Sequence, residues 1–374
     1  MRIAFYAPMK SPHHPVPSGD RRMARLLWQA LAMAGHQPML ASQFRGFSAT
    51  PECQAALRQQ GALEAARLLA AYRLQPDPPA AWFTYHLHYK APDWLGPAVT
   101  GGLNIPYLVA EASFAPKRAG GPWDLGHRAA EAALRSADAI FCLTRLDARC
   151  VAPLVQPPRR LLALPPFLDG PPAPLPPRGG ARAALARRFG LPEAAVWLLA
   201  VAMLRTGDKL ASYARLAAAL GRLGGLDWRL LAVGGGPAEA AVRALFSADL
   251  AGRVTFLGQQ AAPALAECYA AADIYVWPGV GEAYGMAYLE AQAAGLPVVA
   301  GAERGVPEVV LAEETGLLTA PGDDAAFADA IRRLATDNGL RRRLGARARD
   351  FALNERHSGR AAAILDDALR GLRR

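Results

Sequence analysis

Twice along this chain, short apolar runs alternate with helical patterns, and between the two series stands a window, Pro165 to Gly180, that holds seven prolines. Alternation of this kind is what βαβ units and parallel sheets write into a sequence. Proline withholds the backbone donor that a sheet interior or a helix interior needs, so the window reads as a linker. Before it, MRIAFYAP, QPMLAS, AAWFTYHL, IPYLVAEA and DAIFCLT read as strands. GDRRMARLLWQALAMAGH, ended by Gly35, and WDLGHRAAEAALRSA, opened by Pro122, read as helices. After it the series resumes as VWLLAVAML, LASYARLAAALGRL, DWRLLAVGGG, PAEAAVRALFSA, RVTFLGQ, PALAECYAAA, DIYVWPG, AYGMAYLEAQAAG and LPVVAG. The prediction is an α/β chain of two doubly wound domains, residues 1–175 and 181–349, joined through 165–180. A helical tail, 350–374, is expected to pack back on the first domain. Two such domains would face one another across an interdomain cleft at the carboxyl ends of their strands.

At 374 residues and 52% hydrophobic content, the chain is long enough to bury two cores. Its best apolar run, Trp197 to Leu204, stops at Arg205, too short for a membrane span, and MRIAFYAPMK lacks the features of a secretory signal. Cys53, Cys142, Cys150 and Cys268 show no paired spacing for zinc or redox chemistry, so a cytoplasmic setting is expected. The net charge of +10 predicts an anionic partner. Arg21, Arg22 and Arg25 with Trp28 fit either a peripheral contact with an anionic membrane or an ordinary amphipathic helix. No RNA or DNA module is visible, so specific nucleic-acid binding is not expected.

The stretch GVGEAYGMAYLEAQAAGLPVV places Glu282 on a glycine-rich strand-to-helix corner and Glu290 inside the helix that follows. Amide groups near Gly285 and Met286, at the start of that helix, are suited to anionic oxygens. The two carboxylates suit neutral hydroxyls instead. Hydroxyl-bearing groups on either side of a phosphate describe a nucleotide sugar. Upstream, Arg205 and Lys209 in AVAMLRTGDKL lie on another strand-to-helix loop, where two cations would neutralise a diphosphate. No D-x-D occurs, so no metal and no other cofactor is expected. In LLAVGGGPAEAAV a dinucleotide fingerprint fails, because Glu239 stands at its third glycine.

These residues resemble the donor-binding region of the retaining GT-B glycosyltransferases with an E-x7-E motif, the glycosyltransferase family 4-like group. The match runs through Glu282, Gly285, Glu290, Ala291, Ala293, Gly295, Pro297 and Val298, with GVPEVV and TGLLTAPGD downstream. Ala283, Tyr284 and Arg304 depart from the pattern. The resemblance implies that Glu282 contacts the donor sugar near the reacting carbon and Glu290 the ribose, with Tyr284, Gly285 and Met286 beside them. Arg205 and Lys209 become a phosphate clamp. It implies that Gly234 and Gly236 admit the nucleotide and that Gln259 and Gln260 border the base. In the first domain Gly19 becomes a loop over the diphosphate.

Related enzymes carry a cleft histidine after a strand of the first domain. Here His86 and His88 end one strand, while Glu111 and Ser113 stand near the expected place, leaving the acid or base open. Lys117 and Arg118 fit an anionic acceptor or a solvated surface. The resemblance thus implies transfer of a sugar from a nucleoside diphosphate sugar to a glycan or lipid-linked acceptor, with retention, in cell-envelope or polysaccharide synthesis. The alternative is a non-catalytic GT-B subunit that binds nucleotide sugar or a partner. A glycan phosphorylase, the rival within enzymes, would bring a pyridoxal phosphate lysine setting that the chain does not display.

Overall fold

The computed structural model describes residues 1–16, 18–155, 160–169 and 175–372. The chain divides into two units, Met1–Pro165 with Ser358–Arg374, and Pro166–His357. Part of the proline-rich window, 170–174, lies outside the described residues, and the window gives way to a helix at Arg178.

The first unit is built on six parallel strands, β1 (Arg2–Tyr6), β2 (Gln37–Leu40), β3 (Ala81–Leu87), β4 (Tyr107–Ala112), β5 (Ala139–Cys142) and β6 (Leu161–Ala163). Their order is β2-β1-β3-β4-β5-β6. Central strands are buried on both faces, which is why they read as continuous apolar runs. Phe5 pairs in register with Phe83, and the stacked rings of Phe5, Phe83 and Phe141 fill one face. Tyr6, Trp82 and Tyr107 pack into the core on the other.

Several elements were not expected from the sequence, among them the helix Gln54–Arg73 and strand β6. That helix buries Gly61, Ala65, Leu68 and Tyr72 at helical spacing, but leaves Leu63 exposed on its outside and Leu74 exposed just past its end. Small residues among the buried positions and an exposed leucine hide the amphipathic signal. Gly61 is there because an added Cβ would fall 2.4 Å from that of Trp94.

The second unit repeats the plan with β7 (Val196–Val201), β8 (Trp228–Val233), β9 (Val254–Gly258), β10 (Ile274–Trp277), β11 (Val298–Gly301) and β12 (Gly316–Thr319). The order is β12-β11-β10-β7-β8-β9, again all parallel. PAEAAVRALFSA, expected as one helix, is two short ones, Glu239–Arg243 and Ala248–Ala251. Phe246 turns in between them to meet Phe256 edge-on at 5.8 Å.

The tail differs in its start. A helix in the second unit runs from Asn338 to Asp350 and is followed by the π-turn Phe351–Glu355; the helix of the first unit begins at Ser358. Residues 373–374 of the expected tail lie outside the described residues. The helix Ser358–Gly371 buries Leu365 and Leu369 and packs on the helix Gly19–Met33. His36 and Asp366 meet there at 3.3 Å.

Candidate functional site

In each sheet the chain reverses its winding at one place: between β1 and β3 in the first, between β7 and β10 in the second. At such a switch point the loops leaving two adjacent carboxyl ends part in opposite directions and open a crevice. Of the residues singled out from the sequence, Glu282, Arg205 and Lys209 lie at the second of these points and Gly19 and His86 follow or end the elements around the first, and each is described within its own unit.

In the second unit, β10 ends in a corner held by three glycines with positive φ: Gly279 at 72°, Gly281 at 65° and Gly285 at 77°. The amide of Glu282 closes this corner by donating to the Gly279 carbonyl at 2.9 Å. The neighbouring helix Asp208–Leu220 pins it from the side, for the fully buried Ser212 Oγ accepts from the Val280 amide at 2.9 Å. Beneath it lies Tyr288, whose hydroxyl donates to the Trp277 carbonyl at 3.0 Å. Held by these contacts, Glu282 receives a hydrogen bond from Lys209 Nζ, whose ammonium also sits 5.6 Å from the Trp277 ring centroid. Arg205 is exposed on the same β7 loop, and Gly207, with φ of 73°, starts the helix that carries Lys209. Lys209 and the corner acid are therefore already joined.

Glu290 is half-buried in the helix Met286–Ala293, and Tyr269 donates to its Oε2 at 2.9 Å. Gly285 caps that helix and Met286 opens it, so the Met286 and Ala287 amides have no acceptor within the helix, while the Tyr288 amide donates to the Gly285 carbonyl at 3.2 Å. Tyr284 is buried behind them. Arg304, where the resembled pattern has glycine, adopts φ of 38° and reaches the Gly281 carbonyl at 3.4 Å.

Gly234 and Gly236 have a packing reason of their own. An added Cβ would fall 1.9 Å from the Ala202 carbonyl oxygen at the first and 2.2 Å from that of Leu204 at the second. The loops after β7 and β8 run side by side, joined by Leu204 to Gly235 at 3.1 Å and Ala238 to Leu204 at 3.0 Å. After β9, Gln259 is exposed, and Gln260 donates to the Leu257 carbonyl near the end of that strand.

In the first unit, the ends of β3 and β4 carry two non-glycine residues with positive φ, His86 at 63° and Glu111 at 54°. Strain of this kind persists only where surroundings over-determine it, and it concentrates at functional sites. His86 Nδ1 lies 2.9 Å from Asp20 Oδ1 and 3.9 Å from Glu111 Oε1, and Tyr85 donates to Glu111 Oε2 at 3.1 Å. Burial would push the His86 imidazole down, but the Glu111 charge, then the Asp20 hydrogen bond and charge, raise it to about 9. His88, with its ring 5.1 Å from that of His86, is driven down to about 3 by burial and by the His86 charge. Its Nδ1 accepts from the Lys90 amide at 3.2 Å, which leaves the proton on Nε2. Glu111 is raised, chiefly by burial, against the pull of His86.

The sequence missed Asp20. It stands 66 positions from His86, in the first turn of a helix whose N-cap, Ser18, accepts from the Arg21 amide at 3.2 Å. An acid in a first turn ordinarily serves the helix itself, so only the strand order could have exposed its second partner. Gly19 is exposed with nothing within 4 Å of an added Cβ and no positive φ. Neither packing nor backbone conformation asks for glycine there. Among the described residues no group of three His, Cys, Asp or Glu side chains is disposed to hold a metal, and no helix is long and apolar enough to cross a membrane.

Residues 197–337 match the family described as Glycosyl transferases group 1. The chain is 36% identical over 185 residues to D-inositol 3-phosphate glycosyltransferase of Stackebrandtia nassauensis, covering 46% of this chain and 41% of that protein. It is 37% identical over 150 residues to the GDP-mannose-dependent alpha-(1-6)-phosphatidylinositol monomannoside mannosyltransferase of Mycobacterium tuberculosis, covering 38% and 39%. The alignments thus span less than half of these curated relatives. Over 99% of this chain and 98% of the other, the structure resembles sucrose-phosphate synthase from Thermosynechococcus elongatus, with a TM-score of 0.76 and 23% identity. It resembles Anabaena Alr3699/HepE in complex with UDP-glucose over the whole of both chains, with a TM-score of 0.72 and 16% identity. At these identities the structural likeness establishes the fold, which is GT-B.

Proposed function

From the premise that residues 197–337 belong to the glycosyl transferases group 1 family on a GT-B fold, we propose that the protein is a glycosyltransferase. It moves a sugar from a nucleoside diphosphate sugar to an acceptor hydroxyl, with retention of configuration. The bond between the anomeric carbon and the diphosphate oxygen breaks, the acceptor oxygen bonds to that carbon, and nucleoside diphosphate and a proton are released. The observation that carries this reading is the Lys209–Glu282 pair, fixed at the β7/β10 switch point beside Arg205 and the start of the helix Met286–Ala293.

In this reading the diphosphate arrives as a competitor for Lys209. It draws the ammonium from Glu282 and, with Arg205 and the first-turn amides, has its growing negative charge offset as it departs. Those cations take the place of a metal, and no cofactor is needed. Glu282, released, accepts from donor-sugar hydroxyls, and Glu290, oriented by Tyr269, accepts from the ribose. Gln259 borders the base.

The first unit supplies the acceptor side. His86, held protonated between two carboxylates, acts as a fixed hydrogen-bond donor and charge, since a group that already carries its proton is a poor base. A GDP-mannose-dependent relative and a solved neighbour in complex with UDP-glucose support a nucleotide-sugar donor without choosing its base. A glycan or lipid-linked acceptor, a cell-envelope or polysaccharide setting, and work in the cytoplasm at the face of an anionic membrane complete the proposal.

The test is thermal stabilisation by UDP, GDP and ADP, followed by assay of sugar transfer or donor hydrolysis with the base that binds, since a ligand that binds only the folded chain raises its Tm. Loss of nucleoside diphosphate release in Glu282→Ala, with the fold intact, is the expected result. Donor binding with neither transfer nor hydrolysis would favour a non-catalytic binding subunit.

A further inference from the structure

Beyond β11 the chain turns through Ala302, Glu303, Arg304 and Gly305, and this loop is fastened to the neighbouring corner that carries Glu282. Gly301 donates to the Pro278 carbonyl at 3.1 Å, and Gly305 to the Ala283 carbonyl at 2.9 Å. Between these two bonds the Arg304 side chain donates to the Gly281 carbonyl at 3.4 Å. The residues on both sides of Glu282 thus accept from Arg304 and Gly305, and the two loops lie along one another. The turn is closed by Val306 donating to the Glu303 carbonyl at 2.7 Å, and Val306 is fully buried.

Arg304 holds its place at a backbone angle that suits glycine, φ of 38°. A side chain kept in that region costs free energy, and such outliers cluster at ligand sites. The residue is exposed, and among the described residues it forms no ion pair. Glu303, beside it, instead lines a small cavity with Arg215 and Thr319. Asp208, whose carboxylate lies close against Gly281, comes from the helix after β7 and does not pair with Arg304 either. The cation is strained, accessible and unanswered.

Its position decides what it can meet. In the sheet β10 lies between β7 and β11, so the Glu282 corner is flanked by Arg205 and Lys209 on one side and by Arg304 on the other. On the glycosyltransferase reading, Arg205 and Lys209 answer the charge of the diphosphate, while Glu282, between the flanks, accepts from sugar hydroxyls. What reaches past Glu282 to the β11 side is the far end of the donor sugar. A free guanidinium there matches a planar carboxylate, with which it can share two parallel hydrogen bonds. A neutral sugar would leave that charge unanswered. We infer that Arg304 is a specificity-determining residue of the donor site, and that the sugar it selects is a uronic acid carried on the nucleoside diphosphate. This deepens the glycosyltransferase reading and rests on it.

The experiment titrates the full chain calorimetrically with UDP and GDP alone, and then with matched donors. UDP-glucose is set against UDP-glucuronic acid, UDP-galactose against UDP-galacturonic acid, and GDP-mannose against GDP-mannuronic acid. The expected result is that wild type holds the uronic member of at least one pair about tenfold or more tightly than its neutral partner. Arg304→Gln should remove that advantage, and Arg304→Lys, which keeps the charge, should retain part of it. Arg304→Gly should remove it with Tm unchanged or raised, because glycine relieves the backbone angle. A residue that served only the shape of the loop would not follow charge in this way. Equal affinity of wild type for both members of every pair would overturn the inference. So would an Arg304→Gln variant that loses UDP or GDP alone to the same extent as the uronic donor, since Arg304 would then be a phosphate ligand. Failure of both UDP and GDP to bind wild type would remove the donor reading itself, and the inference with it.

Discussion

Lys209 donates to Glu282 across 73 positions of sequence, joining the helix after β7 to the corner after β10. Each group neutralises the other until something more anionic arrives. Glu282→Gln should therefore bind nucleoside diphosphate at least as tightly as wild type, because Lys209 loses its competitor. Sugar transfer should fall about 10²–10³-fold, the scale for removing one oriented group from a transition state. Calorimetric titration and a product assay check the two halves separately, and a joint loss of both would assign Glu282 a structural role.

The histidine pair should titrate far apart. With the folded His86 near 9, above its ordinary value of 6.5, its stabilising contribution is complete below pH 6.5 and is lost as pH rises toward 9. His88 runs the other way: its folded value near 3 means that stability falls as pH drops from 6.5 toward 3. Imidazole proton shifts followed from pH 4 to pH 10 should find one ring still charged at pH 7 and one neutral throughout. Asp20→Asn should lower the His86 value. Its stability deficit should be largest between about pH 4 and pH 6.5 and vanish above pH 9, by the same linkage.

Glycines at three positions should separate packing from ligand contact. Gly234→Ala and Gly236→Ala put a methyl into the backbone of the β7 loop, at φ values of 147° and 157°. Each should destabilise by about 2–4 kcal/mol. Gly19→Ala meets nothing and should leave Tm unchanged or slightly raised. Its effect should be confined to donor affinity and transfer rate, and unchanged kinetics would remove Gly19 from the donor site.

Tyr269→Phe takes away the hydroxyl that orients Glu290 while keeping the ring. The expected loss is one hydrogen bond's net worth, about 0.5–1.5 kcal/mol. It should be read as a rise in donor KM of a few-fold to tenfold, with kcat nearly constant. A fall in kcat alone would contradict a ribose role for Glu290.

The sheet strands were legible because fully buried strands announce themselves as apolar runs, and so was the placement of Glu282 on a strand-to-helix corner, Glu290 in the helix after it and Arg205 beyond β7. The helix Gln54–Arg73 was not, since its buried stripe mixes Gly61 and Ala65 with Leu68 and Tyr72 while Leu63 stands exposed on the other side. The Lys209–Glu282 bond and the Asp20–His86 pair were hidden for a different reason. Both join segments brought together by strand order, a long-range property that local periodicity does not encode. Positive φ at His86 and Glu111 had no glycine to mark it.

One half of this protein is sewn shut by its last helix. Ser358–Gly371 lies on Gly19–Met33, so everything from Pro166 to His357 must leave the ribosome before the opening half can cover that flank. The later-made body is free to mature on its own, whereas the earlier one waits with a greasy seam uncovered. Chaperone dependence and proteolytic nicking during synthesis should accordingly fall on the portion translated first.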